Sequence, residues 1–545
     1  MPAAPSIVFS DVSLTWSDGV PALTGITGSF GAGRTGLVGL NGSGKSTLLR
    51  LAAGELTPSA GTVIVSGDVA HLPQTLPLHV GARVVDLLGV GAQVDAVRAI
   101  ESGDTAERHF DAVGQEWDVE ARAVAALAEL GLPADALERS VGQISGGEAL
   151  LVAVAGLRLR AAPITLLDEP TNNLDRDART RLAEQVRTWR GALVVVSHDT
   201  TLLELMDETA ELHRARLSTV EGPYSAYRAH VEAEQSAAQQ DERTAQQALR
   251  RERRQRVVAE TVLARRARYA RTDHENKRKP KIVMNQRRTE AQVSAGKLRA
   301  GLDGDVERAR AALCEAADRV RDDAHIHPEL PDPVVPGGRR LLELHDRERT
   351  HVVRGPERVA LTGPNGVGKT TLLEDLVRST PRRRQLVAGP APGSTGGPWA
   401  VAHTDHIGYL AQRSDELDEH ASILDVVRAA APHRPPQQVR SALARFLLRA
   451  DAVHRQVATL SGGERFRVAL ARLLLADPPP QLLVLDEPTN HLDVQTVDQL
   501  VAALTAYRGG LLVVSHDDAF LARLHLSNRL ELSRDGTLTE HALPT

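Results

Sequence analysis

The stretch from Gly39 to Thr47 constrains this chain most, because it has the G-x-x-x-x-G-K-[ST] spacing of a phosphate-binding loop. The apolar run before it is typical of a short buried strand, and the residues after it are typical of a helix start. In that context the glycines let backbone N–H groups close on phosphates at the positive end of a helix. Lys45 can then reach the β- and γ-phosphates of a nucleotide, and the Ser46 hydroxyl can ligate Mg²⁺.

A single match of this kind arises by chance in a chain of this length with a probability of roughly 2% at ordinary glycine frequency. The motif recurs, however, from Gly363 to Thr371, and the same companion motifs follow each copy in the same order. From the loop lysine to the first acid of a later Asp-Glu pair is 123 residues in the first half and 117 in the second. A repeat of this size indicates duplicated domains.

Each half also carries an apolar strand that ends in two acids, Asp168-Glu169 and Asp486-Glu487. Acids at the end of a buried strand are costly unless they take part in chemistry. We expect the aspartate to hold the Mg²⁺ shell and the glutamate to polarise the attacking water. A further buried strand leads to His198 in Ser-His-Asp, with His516 in the second copy; a structural histidine is the alternative, which the position in the series outweighs.

Composition limits the class of protein. The 545 residues are 42% hydrophobic and 25% charged, which is typical of a soluble globular protein with two or more domains. No run approaches 18 apolar residues, so we expect no membrane span, and without a basic-then-apolar start we expect the chain to stay in the cytoplasm. The one cysteine, Cys314, rules out an internal disulfide and cysteine-built zinc or iron–sulfur sites, and we expect it to be a small packed residue of a helix.

Between the repeats the composition changes. Residues 231–271 contain no Gly or Pro and predict a long helix, and a second helix is predicted at about 286–323 after a turn region with Lys279 and Lys281. Residues 241–300 hold 18 Lys and Arg against 7 Asp and Glu, a net charge of +11, on a chain whose total is −5. A solvated charged coil is the alternative, but a basic hairpin on an acidic body favours nucleic acid phosphates.

Trp16 lies upstream of the first loop, where an aromatic ring could stack on a base; an ordinary core tryptophan is the alternative. The second half has no matching aromatic. Gln74 and Gln412 each end a predicted strand, and Ser-Gly-Gly-Glu opens an apolar helix at Ser145 and again at Ser461.

These motifs resemble those of ATP-binding cassette nucleotide-binding domains, and the whole arrangement is similar to the ABC-F subfamily of ribosome-binding ATPases. The resemblance implies an α/β fold with two tandem cassette domains, at 1–230 and 326–545, joined by a long basic α-helical hairpin linker at 231–325. It also implies a short arm insertion at about 90–128. Asn173 departs from the usual histidine of the family, which the second copy keeps as His491.

In that family two ATP molecules lie between the two domains, here of one monomeric chain. Lys45 would share one ATP with Ser461 and Gly463, and Lys369 would share the other with Ser145 and Gly147. The catalytic residues would be Glu169, Glu487, His198 and His516. The ATP contacts implied are Trp16, Gly39, Asn41, Gly42, Gly44, Lys45, Ser46, Thr47, Gln74, Ser145, Gly146, Gly147, Asp168, Gly363, Asn365, Gly366, Gly368, Lys369, Thr370, Thr371, Gln412, Ser461, Gly462, Gly463 and Asp486. The Mg²⁺ ligands implied, partly through water, are Ser46, Gln74, Asp168, Thr370, Gln412 and Asp486.

The segment from Lys277 to Lys297 resembles linkers of actinobacterial members linked to antibiotic resistance. In the subfamily this hairpin enters the ribosomal exit site and reaches the P-site tRNA and the large-subunit rRNA of the peptidyl-transferase centre. The RNA contacts implied are Lys277, Arg278, Lys279, Lys281, Arg287, Arg288 and Lys297.

The leading hypothesis is therefore an ATP-hydrolysing factor that protects the ribosome from large-subunit antibiotics. The closest alternative is a housekeeping factor that relieves stalled ribosomes. An ATPase subunit of a drug exporter fits less well because of the basic linker, and DNA-repair or chromosome ATPases fit least.

Overall fold

The computed structural model describes residues 5–541 apart from residues 18, 77–78, 173, 214, 276–280, 321–329, 381–396, 413–416, 449 and 491. Residues 1–224 and 324–545 together form one compact unit, and residues 225–323 form a second. The compact unit contains the two repeats.

The first repeat is built on a mostly parallel sheet with the strand order β5-β6-β7-β3-β8-β9, in which β9 pairs antiparallel with β8. A smaller antiparallel sheet has the order β2-β1-β4. β6 and β7 have every residue buried, as expected for parallel strands covered on both faces. The strands are β1 (Ser6–Thr15), β2 (Pro21–Phe30), β3 (Arg34–Val38), β4 (Ala60–Ser66), β5 (Val69–Leu72), β6 (Ile164–Asp168), β7 (Ala192–Val196), β8 (Glu208–His213) and β9 (Arg216–Glu221).

Helices cover the larger sheet, and the interval predicted as an arm insertion contains three of them. The helices are α1 (Lys45–Ala52), α2 (Val84–Leu87), α3 (Gly91–Glu101), α4 (Glu107–Val113), α5 (Val119–Glu129), α6 (Gly146–Arg160), α7 (Arg176–Arg187) and α8 (Thr200–Leu203). An apolar core joins the two sheets through α1, and within it Phe9 and Phe30 meet edge to face with centroids 5.7 Å apart.

The linker unit is formed by two long helices, α9 (Tyr224–Glu275) and α10 (Lys281–Arg319). Arg256 Nε lies 3.0 Å from Asp303 Oδ1, which ties the two helices together. At about 1.5 Å per residue, the 52 residues of α9 span roughly 78 Å.

The two linker helices differ from their predicted bounds, most clearly at their starts. α9 starts earlier than residue 231, because Gly222-Pro223 ends the preceding structure and no Gly or Pro follows up to Glu275. α10 starts at Lys281 rather than at about residue 286. Cys314 is helical, as expected, but exposed rather than packed, because α10 buries few of its side chains.

The second repeat has the same topology, with the orders β14-β15-β16-β12-β17-β18 and β11-β10-β13. Its strands are β10 (Arg340–His345), β11 (Thr350–Arg354), β12 (Arg358–Thr362), β13 (Trp399–Ala402), β14 (Ile407–Leu410), β15 (Leu482–Asp486), β16 (Gly510–Val514), β17 (Asn528–Leu532) and β18 (Leu538–His541). Its helices are α11 (Lys369–Arg378), α12 (Ile423–Ala430), α13 (Pro436–Arg445), α14 (Gly462–Leu474), α15 (Val494–Ala506) and α16 (Asp518–Ala522). In both repeats the carboxyl ends of the parallel strands meet at one edge, where the predicted site residues lie.

Gly156, in the middle of α6, tests this packing. A Cβ placed there would lie 2.6 Å from the backbone oxygen of Leu88, which cannot turn away as a side chain can. We expect Gly156→Ala to lower the stability of the first repeat by about 1–3 kcal/mol despite the better helix propensity of alanine. Thermal unfolding followed by circular dichroism measures this. Gly301→Ala is the matched control, since Gly301 is also helical but has no atom within 4 Å of its Cβ position, and an equal loss in both variants would contradict the packing argument.

Candidate active sites

Each phosphate loop depends on glycines that no other residue could replace without a clash. Gly39 and Gly363 have φ of 151° and 144°. A Cβ on them would lie 2.6 Å and 2.3 Å from the backbone oxygens of Leu212 and Leu532. The loops therefore pack tightly against the neighbouring strand and present their N–H groups at the starts of α1 and α11.

The two loop lysines are folded back onto their own loops. Lys45 Nζ donates to the carbonyl oxygens of Gly39 and Leu40 at 2.8 and 3.1 Å, and Lys369 Nζ makes the matching bonds to Gly363 and Pro364 at 2.7 and 2.9 Å. Burial lowers the pKa of both ammonium groups, and the nearby acids oppose that shift. A desolvated cation of this kind can exchange neutral carbonyls for phosphate oxygens with a large electrostatic gain.

The acids at the ends of β6 and β15 are deeply buried. Burial raises the pKa of Asp168 and of Glu169, and it raises the pKa of Glu487 to about 7. Among the described residues Asp168 Oδ1 has no hydrogen-bond partner, and the Oε1 atoms of Glu169 and Glu487 lie near a histidine nitrogen without completing a hydrogen bond. Buried oxygens without partners are rare, and they fit a hydrated cation and a water molecule brought in with a nucleotide.

Both glutamates also adopt a backbone conformation that side-chain-bearing residues seldom use. Their φ angles are 50° for Glu169 and 46° for Glu487. Each is held there by a hydrogen bond from its N–H to the next strand, at Val196 or Val514, at 2.9 Å. The conformation costs on the order of 1–3 kcal/mol per residue, and strain of this kind concentrates at functional sites.

A histidine stands beside each glutamate. His198 Nε2 lies 3.1 Å from Asn41 Oδ1 and 3.1 Å from Glu169 Oε1. His516 repeats the arrangement, with 3.1 Å to Asn365 Oδ1 and 3.3 Å to Glu487 Oε1. Burial lowers the pKa of both histidines, for His516 to about 4, so each imidazole is neutral at pH 7 and can donate or accept one hydrogen bond.

Each loop is also bonded to the opposite repeat. The N–H of Asn41 donates to Asp493 Oδ2 at 2.9 Å, and the N–H of Asn365 donates to Asp175 Oδ2 at 3.3 Å. The other oxygen of each aspartate caps a helix, accepting from Thr496 N or from Ala178 N. Sequence reasoning did not select these aspartates as site residues, although the repeated Thr-Asn-x-Leu-Asp segments were a signal that could have found them.

A family model described as "ABC transporter" matches residues 23–172 and 350–490. "Tylosin resistance ATP-binding protein TlrC" of Streptomyces fradiae is 32% identical over 98% of this chain and 96% of its own length. "ATP-binding protein Uup" of Escherichia coli is 30% identical over 90% of this chain and 74% of its own. The chain belongs to the ABC-F subfamily of ATP-binding cassette proteins.

Among solved structures, "RNase-L Inhibitor" matches 98% of this chain and 90% of its own, with a TM-score of 0.53 and 19% identity. At that identity the likeness concerns the fold, two α/β cassette domains in one chain. As a member of its family the protein is an ATP-hydrolysing enzyme. No helix in the described part of the chain is long and apolar enough to cross a membrane.

The first candidate site opens into a pocket of about 520 Å³. Trp16 is 39% exposed and lines this pocket, so it is not a core residue. Other lining residues are Val20, Pro21, Ala22, Asn41, Gly42, Gly44, Lys45, Ser46, Thr47, Gln74, Glu169, Asn172, Val196 and His198. The structure thus gathers most of the predicted first-site residues around one space.

The second repeat has an acid at the position of Trp16. The N–H of Trp16 bonds across its hairpin turn to Val20, and the N–H of Asp346 bonds likewise to Arg349. The Asp346 carboxylate accepts from the N–H groups of Glu348 and Arg349 and, at 2.8 Å, from that of Leu538. Both of its oxygens are committed to backbone groups, so this residue is no platform for a base.

The remaining predicted contacts lie at helix and strand ends. Ser145 and Ser461 are exposed and cap α6 and α14 in reciprocal capping boxes with Glu148 and Glu464. The glycines that follow each serine add no side chain that would cover the helix start. Gln74 and Gln412 are exposed just beyond β5 and β14. Asn173 and His491 lie outside the described residues.

We propose that Glu169 and Glu487 polarise the attacking water, and replacing both by Gln tests this. The double variant should bind ATP but hydrolyse it at least about 100-fold more slowly, because the lost group acts on the reaction rather than on phosphate binding. Steady-state ATPase assays and nucleotide-binding titrations measure the two properties separately. Hydrolysis at the parent rate would exclude these two residues from the chemistry.

Proposed function

We propose that this ATPase acts on the ribosome, places its linker hairpin at the exit site and protects translation from antibiotics of the large subunit. The observation that carries the proposal is the charge of the linker, +11 over residues 241–300 on a chain of net charge −5. A dense basic segment is attracted to the phosphates of a nucleic acid, whereas the acidic remainder of the chain is repelled by them. Between two ATPase domains, such a segment suits an RNA-containing partner.

The linker residues proposed to contact RNA are only partly described by the structure. Lys277, Arg278 and Lys279 lie outside the described residues. Lys281, Arg287 and Arg288 belong to α10, and Lys297 on the same helix is exposed. We propose large-subunit rRNA and the P-site tRNA as their partners.

Support for the resistance role comes from the relative named for tylosin resistance, which matches over nearly the full length of both chains. Other relatives carry names without a resistance role, such as Uup. A housekeeping factor that relieves stalled ribosomes is therefore the second candidate.

We propose that both sites use MgATP, the Mg²⁺ being held, partly through water, by Ser46, Gln74 and Asp168 in one site and by Thr370, Gln412 and Asp486 in the other. The metal would supply charge neutralisation on the phosphates. The chain's own groups do the rest: the loop N–H groups and lysine bind phosphate, the glutamate orients water, and the neutral histidine holds its position between Asn and Glu. We further propose that two ATP molecules are bound between the two domains.

Reversing the linker charge tests the RNA contact. Replacing Lys277, Arg278, Lys279 and Lys281 by Glu should weaken ribosome binding and flatten its dependence on salt, because phosphate contacts release counterions. Co-sedimentation with ribosomes at several salt concentrations measures this, using the Glu169→Gln, Glu487→Gln background. Replacing Arg308, Arg310 and Arg319, near the other end of α10, by Glu changes the linker charge in the same direction away from this segment and should weaken binding less. Unchanged ribosome binding in the first Lys/Arg→Glu variant would indicate that the segment is a solvated coil without RNA contacts.

Drug protection is tested in cells and in a membrane-free translation reaction. Expression in a sensitive bacterium should raise tolerance to macrolides, lincosamides or related large-subunit inhibitors, but not to small-subunit drugs. The effect should require Glu169 and Glu487 and should persist in cell-free translation. Protection only in intact cells, with lowered drug accumulation, would favour an exporter subunit. No protection in either system, with slow growth on deletion, would favour the housekeeping factor.

A further inference from the structure

The first turn of α7 in the first repeat faces the second repeat. Asp175, which caps this helix, accepts the N–H of Asn365, and Arg176 Nε lies 3.0 Å from Asp518 Oδ2. One turn further on, Arg179 is mostly buried, with 18% of its side chain exposed. Its Nη1 lies 3.2 Å from Asp199 Oδ2 and its Nε donates to the carbonyl of Leu174. These bonds fix its guanidinium at the boundary between the repeats.

Arg179 acts on two carboxylates of like charge, Asp199 and Asp517. They directly follow His198 and His516 in the sequence, and their charges interact across the boundary. Burial raises the pKa of Asp517, Asp199 raises it further, and Arg179 opposes the rise. The same guanidinium acts on His516, whose pKa is lowered by burial, by Lys369 and by Arg179. Without this cation, two partly desolvated acids would face each other beside the second catalytic centre.

At the matching positions of α15, the second repeat has no such cation. Counting from the capping aspartates Asp175 and Asp493, the residues of α15 that match Arg176 and Arg179 are Val494 and Val497. Val497 packs against the apolar core of its own repeat. The residue that matches Asp518 is Thr200, so the ion pair with Arg176 has no counterpart either.

We propose that Arg179 is a positioning residue for the second ATPase site, supplied by the first repeat. It neutralises the facing carboxylates of Asp199 and Asp517 and thereby holds the His516 segment in place beside Glu487. The first site has valine, Val497, at the position that matches Arg179. The inference rests on the proposed function only in assuming that Glu487 and His516 form a hydrolytic site.

The test compares Arg179→Met with Arg179→Lys and with a matched control, Arg187→Met. Arg187 belongs to the same helix but is exposed in its last turn. Arg179→Met should lower kcat by roughly tenfold with KM changed less than about twofold, because a buried carboxylate pair left without its cation disfavours the active arrangement. Arg179→Lys should keep most of the activity, since it keeps the charge.

A second substitution separates charge neutralisation from mere packing. Asp517→Asn removes one of the facing charges but keeps the helix cap, in which Asp517 accepts the N–H of Phe520 at 2.9 Å. In Arg179→Met protein it should restore at least about half of the lost kcat, which a lost packing contact would not allow. A loss that Asp517→Asn fails to relieve, or an equal loss in Arg187→Met, would overturn the proposal.

The affected site is identified with single glutamate variants. The Arg179→Met loss should be several-fold larger in the Glu169→Gln background, where the second site turns over, than in the Glu487→Gln background. If one Gln silences both sites, labelling with 8-azido-ATP that carries a labelled γ-phosphate, followed by tryptic cleavage in the linker, reports each repeat by itself. In Arg179→Met protein the second repeat should bind the nucleotide but lose the γ-phosphate label more slowly than in the parent protein. Equal effects on both sites would overturn the proposal. Hydrolysis by the double Glu→Gln protein would instead overturn the catalytic roles, whatever Arg179 does.

Discussion

Two hydrogen bonds between repeats, from Asn41 to Asp493 and from Asn365 to Asp175, are the contacts on which the arrangement of both sites depends. Burial alone would raise the pKa of Asp493, but the hydroxyl of Thr496 and the N–H groups of Asn41 and Thr496 hold it below its usual value. The carboxylate therefore stays charged while serving two backbone donors, one on each repeat. Because the Asn41 N–H belongs to the loop that holds Lys45, a phosphate that moves this loop must also change the contact with the second repeat.

The ends of β6 and β15, where the candidate catalytic residues lie, also hold groups that are costly to bury. β6 and β15 bury an acid pair that apolar surroundings disfavour, and the adjacent glutamates accept a strained backbone as well. Neither cost serves the core, which would be better packed by an apolar residue in an extended conformation. The two copies keep both features after duplication, which agrees with a chemical role for each glutamate.

Much of this could be predicted from the sequence because it is local. The phosphate loops, the buried strands and the helix starts at Ser145 and Ser461 follow from motif spacing and hydrophobic runs. The bounds of the two linker helices differ from the predicted ones by a few residues. The contacts between repeats could not be predicted in this way, since Asn41 and Asp493 are 452 positions apart and no spacing rule links them. The match between Asp346 and Trp16 could not be predicted either, because only the strand pairing shows that both residues follow the first strand of the corresponding hairpin.

The two sites therefore differ at opposite ends of the nucleotide. The first has an exposed tryptophan where a base would lie, and a valine, Val497, at the place of the cross-boundary arginine. The second has the committed carboxylate of Asp346 at the base end and Arg179 close to its glutamate and histidine. Stacking on an aromatic ring favours binding, whereas a fixed charge beside the reacting groups favours the chemical arrangement. Under the proposal that each site binds one ATP, the unequal sites give this ATPase a physical basis for a set order of events, since the reciprocal aspartates connect each loop to the other repeat.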